Sequence, residues 1–106
     1  MTKYNNSKTM VFGILFDSKA EAARYLELRA LEKAGAITEL HTQVWFELIP
    51  AMAGERSVNY VADFTYIKDG KMIVEDVKGV KTQAYILKRK MMLWKHNIRI
   101  TEVSMK

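Results

Sequence analysis

Residues 58–78 read VNYVADFTYIKDGKMIVEDVK, and this stretch decides the fold because it has the pattern of a β-hairpin. Two apolar runs flank the pair Asp69-Gly70, which is a strong signal for a two-residue hairpin turn. If this pair forms the turn, opposed residues have numbers that sum to 139, and Asp63 lies opposite Asp76. Opposed side chains share a face of the sheet, with Cβ atoms about 4.5–5.5 Å apart. The sequence therefore predicts two neighbouring carboxylates.

A lysine completes this group. Lys78 follows Asp76 by two residues, so an extended strand places both side chains on one face. Glu75 is the rival carboxylate, but the same alternation puts it on the opposite face unless a β-bulge intervenes. Carboxylate oxygens are ligands for Mg²⁺, and a bound Mg²⁺ can present water to a phosphodiester. The alternatives are a solvated Asp63 and a surface ion pair between Asp76 and Lys78.

The first helix is predicted from its ends. It begins at Asp17-Ser18 and runs to about Ala34, with Gly35 as the terminating glycine. Ser18 and Glu21 have the spacing of a capping box. Glu21 is then either a cap or a third carboxylate that projects toward the sheet. The expected apolar stripe of this helix consists of Ala23, Leu26, Ala30 and Ala34.

The other elements follow from alternation, glycine and proline. A short strand or an extended entry segment is expected over Met10–Phe16, and a longer strand over His41–Ile49, with Trp45 in the core. A second helix is expected from Thr82 to about His96, followed by a strand over Ile98–Val103. The expected apolar stripe of the second helix is Ala84, Leu87, Met91 and Trp94. The predicted class is α/β, with the order αβββαβ and a mixed central sheet flanked by helices.

Length and composition indicate one soluble domain. The 106 residues predict a single domain over 1–106, with residues 1–9 as a flexible basic arm. The sequence has no apolar run long enough to cross a membrane and no signal-peptide pattern at its start. It also has no cysteine, which excludes disulfides and thiolate metal sites. We therefore expect a cytoplasmic protein.

Basic residues are concentrated in one segment. The net charge is +5, and between Val77 and Thr101 there are seven basic residues and no acidic one. A basic cluster of this kind is typical of proteins that bind a polyanion. The alternative is that it forms a solvated helix face.

Several motifs together resemble the PD-(D/E)XK nuclease superfamily, and in particular its small phage-encoded members, which include resolvases. The similarity covers the chain from about Phe12 to Val103, and Ala62 stands where the motif name has proline. It is carried by Phe16-Asp17-Ser18-Lys19-Ala20-Glu21, by Gln43 with Phe46-Glu47-Leu48, by Ala62-Asp63-Phe64 and by Asp76-Val77-Lys78-Gly79.

The resemblance implies a role for each matching residue. Asp63 is the first metal-binding aspartate, Asp76 the second carboxylate, Lys78 the catalytic lysine and Glu21 an additional acidic ligand. The implied cofactor is Mg²⁺, with Mn²⁺ able to substitute, and the implied partner is DNA. Together with the basic residues of the arm and of the first helix start, the expected DNA-binding set is Lys3, Lys8, Lys19, Lys81, Gln83, Lys88, Arg89 and Lys95.

The predicted function is that of a metal-dependent DNA endonuclease. A chain of 106 residues leaves few side chains to read base edges, so selectivity is expected to come from DNA structure. We expect branched DNA such as a Holliday junction as substrate, and a homodimer acting in phage recombination or replication in the bacterial host cytoplasm. The alternatives are a non-catalytic nucleic-acid-binding module with a nuclease-like fold, and a phage interaction protein that binds an acidic partner.

Overall fold

The computed structural model describes residues 7–105. Lys3 and most of the predicted arm lie outside this range, and Thr9, the last residue of the predicted arm, begins a strand. Neither helix in the described range has the length and apolarity of a membrane span. The elements are β1 (Thr9–Val11), β2 (Ile14–Phe16), α1 (Lys19–Lys33), β3 (Thr38–Ile49), β4 (Val58–Lys68), β5 (Lys71–Val77), α2 (Gln83–His96) and β6 (Thr101–Val103).

The predicted fold class is confirmed. A four-stranded sheet has the order β3-β4-β5-β6, in which β3, β4 and β5 are antiparallel neighbours and β6 runs parallel to β5. The parallel pair is possible because α2 forms the crossover between its two strands. The predicted first strand is instead a small separate hairpin, β1–β2, since Phe12 and Gly13 adopt positive φ angles of 49° and 79° at its turn.

The β4–β5 hairpin has the predicted register. Its pairs run from Lys68 opposite Lys71 to Phe64 opposite Glu75, so that each pair sums to 139. Asp69 and Gly70 have φ angles of 52° and 76°, as a type I′ turn requires at both central positions. The local turn therefore fixes which residues of the two strands face each other.

The side chains of β4 change sides at Asp63. Tyr60 and Ala62 pack in the cluster beneath α2, whereas Phe64 and Tyr66 pack in the cluster beneath α1. Strict alternation would keep these four residues on one face. On the neighbouring strand Gln43, which lies between the residues paired with Ala62 and Phe64, has a φ of 54°. The change of sides occurs at Asp63, where β4 leaves the cluster beneath α2 and enters the cluster beneath α1.

Both helices bury faces other than those predicted. In α1, Leu26 is exposed, and Tyr25 and Leu28 are buried instead. The predicted stripe was mostly alanine, and the larger side chains on the other face bury more apolar area. In α2 the buried residues are Tyr85 and Met92, while the expected core residues Leu87, Trp94 and, on β3, Trp45 are exposed.

Candidate active site

Asp63 and Asp76 come one residue beyond the last pair of the hairpin, Phe64 and Glu75, and lie close enough for their charges to interact. Asp63 Oδ2 accepts a hydrogen bond of 2.7 Å from the backbone N–H of Val77, across the hairpin. The two oxygens of Asp76 have different partners: Oδ2 accepts a 2.6 Å bond from the Tyr60 hydroxyl, and Oδ1 lies 3.1 Å from Lys78 Nζ. The structure thus brings the predicted acidic pair and its lysine together.

Lys78 is held from two directions. Its backbone N–H donates a 2.9 Å bond to the Val103 carbonyl, which extends the parallel pairing of β5 and β6. Its ammonium nitrogen lies 3.9 Å from the centroid of the Tyr85 ring, the distance of a cation–π contact. The lysine is therefore oriented at the acidic pair by side chains from the sheet and from α2.

Glu21 joins the pair from the first turn of α1. The predicted cap is present, since Ser18 Oγ accepts a 3.1 Å bond from the Glu21 N–H. The Glu21 side chain is only 8% exposed, and its Oε2 is buried without a hydrogen-bond partner in the described structure. Burial, followed by the charges of Asp17 and Asp76, raises the pKa of its carboxyl. Glu21 is therefore both a capped first-turn residue and a third carboxylate of the site.

Crowding of the carboxylates has an electrostatic consequence. Burial, reinforced by the charges of Asp76 and Glu21, raises the pKa of Asp63 to about 8. Burial and the hydrogen bond to Asp76 also raise the pKa of Tyr60 well above its usual value. With all groups ionised, Glu21, Asp63, Asp76 and Lys78 carry a net charge of −2. One divalent cation would neutralise this net charge.

The rival carboxylate Glu75 lies elsewhere. It is 1% exposed and accepts two hydrogen bonds from Arg24 of α1, at 2.9 and 2.7 Å, as well as one from the Tyr66 hydroxyl. These contacts place it on the α1 side, whereas Asp76 contacts Tyr60 of the α2 cluster. This arrangement is consistent with the predicted alternation, in which Glu75 and Asp76 lie on opposite faces of the strand.

A cleft of about 710 Å³ opens beside the carboxylates. Glu21 and Lys78 line it, and the starts of both helices border it through Ser18, Lys19 and Thr82. Unpaired backbone N–H groups at helix N-termini attract anions such as phosphate. The first turn of α2 has no acidic residue. The cleft thus combines acidic, cationic and helix-terminal groups.

The donor set suits a hard cation. Within residues 7–105, no three carboxylate or histidine side chains are arranged as a ready-made set of metal ligands. The charges of Glu21, Asp63 and Asp76 nevertheless act on one another, and Glu21 Oε2 is buried without a hydrogen-bond partner in the described structure. Oxygen donors with excess negative charge match the preference of Mg²⁺. Glu21, Asp63 and Asp76 therefore fit the ligands of such an ion in residue type and charge.

The predicted DNA-binding residues are dispersed. Lys19 lines the cleft, and Lys8 lies near it in an exposed pair with Asp17 at 3.1 Å. Gln83 opens α2, next to the cleft residue Thr82. The other members are Lys88, half-buried on α2; Lys81 and Arg89, both paired with Glu102; and Lys95, near Glu47 at the far end of α2.

Three residues of this region were not predicted from the sequence. Tyr60 holds Asp76, although strict alternation would have placed it on the other face of β4. Arg24 neutralises Glu75 across a separation of 51 residues, for which no local pattern exists. Glu102 accepts hydrogen bonds from Tyr85 and Arg89 at 2.7 and 2.8 Å. The sequence feature that could have indicated these contacts is that Glu102 is the first acidic residue after the basic segment.

Comparison with known proteins places the chain in a family. No curated protein matches the chain. One family model matches residues 1–105, and its description is "Protein of unknown function (DUF1064)". Because the match spans almost the whole sequence, this chain belongs to the DUF1064 family.

Proposed function

We propose that this chain is a Mg²⁺-dependent endonuclease that hydrolyses phosphodiester bonds of DNA. The observation that carries the proposal is the meeting of Glu21, Asp63, Asp76 and Lys78 beside a cleft bordered by two helix N-termini. The αβββαβ order and the sequence resemblance to PD-(D/E)XK nucleases support it.

Each residue has a task that its contacts support. Glu21, Asp63 and Asp76 would hold Mg²⁺, for which Mn²⁺ can substitute. The bound ion supplies Lewis-acid chemistry, neutralising phosphate charge and lowering the pKa of water. Lys78, fixed against Asp76 and the Tyr85 ring, orients the attacking water or stabilises the extra charge on the phosphate. Tyr60 holds Asp76 in place through its 2.6 Å bond.

The two helix starts give the cleft a way to hold the DNA backbone. Ser18 and Thr82 line the cleft, so the first-turn N–H groups that the two caps leave free would be available to a phosphate, and the lining residue Lys19 adds a positive charge. Contacts to the phosphate backbone do not distinguish one base from another, so we propose that branched DNA is selected by its shape. A homodimer would supply two such sites for paired nicks, in the cytoplasm of a phage-infected or lysogenic bacterium.

A cleavage assay with matched lysine variants tests the proposal. Linear duplex, single-stranded, flap and four-way-junction DNA are incubated with the protein, with and without Mg²⁺. We expect metal-dependent cleavage, greatest on the junction, and a loss of at least about 100-fold in rate for Lys78→Ala. Lys71→Ala, at the exposed β4–β5 turn, should cleave like the wild type.

Two outcomes contradict the assignment. One is equal cleavage by wild type and Lys78→Ala, which would place the activity elsewhere. The other is the absence of products from the wild type on all four substrates with either Mg²⁺ or Mn²⁺. Salt-sensitive DNA binding without cleavage would then indicate the non-catalytic binding module.

A further inference from the structure

A second concave site lies beside the buried face of α2, where the helix flanks Ile100 and β6. This α2 pocket has a volume of about 280 Å³ and shares no residue with the carboxylate cleft. It combines two apolar side chains with three cationic ones and one carboxylate. Its lining is Arg89, Lys90, Leu93, Arg99, Ile100 and Glu102.

The pocket has an excess of positive charge. Its one carboxylate, Glu102, is already bonded to Tyr85, Arg89 and Lys81, which holds its pKa at about 2. In the described structure neither Lys90 nor Arg99 forms an ion pair. No residue of α2 is acidic. Two cations of the pocket are therefore free to meet carboxylates of a partner.

An exposed apolar surface continues from the pocket. Leu87 and Trp94 are 60% and 80% exposed, and on the helix they lie three residues before and four residues after Lys90. Residues at these spacings are neighbours on a helix surface. Large exposed apolar side chains that adjoin a concave site are typical of protein interaction surfaces. The α2 pocket and the exposed side chains of Leu87 and Trp94 therefore form one continuous face.

We propose that the α2 pocket binds an acidic peptide segment of a partner protein, with a bulky apolar side chain seated against Leu93 and Ile100. Carboxylates of the segment meet Lys90 and Arg99, and its remaining apolar residues cover Leu87 and Trp94. A second copy of this chain is disfavoured because it would set one acid-free helix against another. DNA is disfavoured because its phosphates leave the apolar part of the face unused.

Binding of synthetic peptides tests the proposal by fluorescence anisotropy. The probe is a fluorescein-labelled decapeptide of alternating aspartate and leucine that ends in phenylalanine. We expect a Kd of roughly 10 µM. Replacing its apolar residues with serine, or its aspartates with lysine, should weaken binding at least 10-fold. Arg99→Glu and Lys90→Glu should each do the same, whereas Lys68→Glu, at the exposed hairpin turn, should not.

Several results would overturn this assignment. Absence of binding by the acidic apolar peptide is one, and equal affinity for the serine-substituted peptide is another, since it would reduce the effect to charge alone. If Arg99→Glu binds the peptide with the affinity of the wild type and has the same thermal midpoint, the peptide binds elsewhere on the protein. Displacement of the peptide by an equimolar 20-base-pair duplex would assign the pocket to nucleic acid.

Discussion

Glu75 and Asp76 are adjacent in the sequence and have opposite electrostatic surroundings. Glu75 is neutralised by two bonds from Arg24 and receives a third from Tyr66. Asp76 pairs with one lysine, Lys78, and lies within reach of the charges of two further carboxylates, Asp63 and Glu21. A buried carboxylate with a complete set of partners serves the fold, whereas a group with excess negative charge is unstable without a cation. We infer from this difference that Glu75 is a structural carboxylate and that Asp76 belongs to a candidate functional site.

Removing the partner of the structural carboxylate should have the largest effect. Arg24→Met leaves Glu75 buried without its cation, and we expect the free energy of unfolding to fall by about 3–5 kcal/mol. Urea denaturation followed by circular dichroism measures this. The double variant Arg24→Met/Glu75→Leu should recover most of the loss, and a failure to recover would contradict a neutralising role.

Removing a carboxylate from the cluster of Glu21, Asp63 and Asp76 should instead stabilise the fold at high pH. Because the pKa of Asp63 is raised to about 8, the folded state holds a proton that the unfolded state releases near pH 4. With a chelator present, wild-type stability should therefore decrease between pH 4 and 8 and level off above. Asp63→Asn removes the ionisation, so its stability should exceed that of the wild type at pH 9, by on the order of 2 kcal/mol.

A matched carboxylate variant controls this experiment. Asp69→Asn, at the exposed hairpin turn, alters an aspartate outside the cluster and should keep the wild-type pH profile. Thermal midpoints from pH 4 to 9 for the three proteins provide the comparison. Parallel profiles for wild type and Asp63→Asn would show that Asp63 is not crowded by other carboxylates.

The smallest expected effect concerns the support of Asp76. Tyr60→Phe removes the hydroxyl that donates to Asp76 Oδ2 and should lower the free energy of unfolding by about 1 kcal/mol. If the cluster cleaves DNA, the cleavage rate should fall about 10-fold while DNA affinity is retained. An unchanged rate would show that Asp76 does not depend on Tyr60 for its orientation.

The parts of the fold that were predictable depend on local patterns. The Asp69-Gly70 turn determined the hairpin register, and Ser18 and Thr82 marked the starts of both helices through their caps. The register in turn brought Asp63, Asp76 and Lys78 together. These features could be predicted because each depends on residues within a few positions of one another.

The features that the sequence did not reveal depend on distant contacts. The side chains of Tyr25 and Tyr85 have an apolar ring and a polar hydroxyl. Their burial therefore depends on the residues that pack against each helix, and the spacing of apolar residues along the helix does not predict it. The change of sides at Asp63 arises where β4 passes between the two clusters. For these reasons the predicted burial of Trp45 and Trp94 was wrong.

The central claim is that Glu21, Asp63 and Asp76 form the binding site of a divalent cation. Titration with Mn²⁺, followed by electron paramagnetic resonance of the free ion, tests it directly. We predict one ion per chain with a Kd below about 1 mM for wild type and Asp69→Asn, and at least 10-fold weaker binding for Asp63→Asn/Asp76→Asn. Equal Mn²⁺ binding by the double variant, or none by the wild type, would contradict the claim.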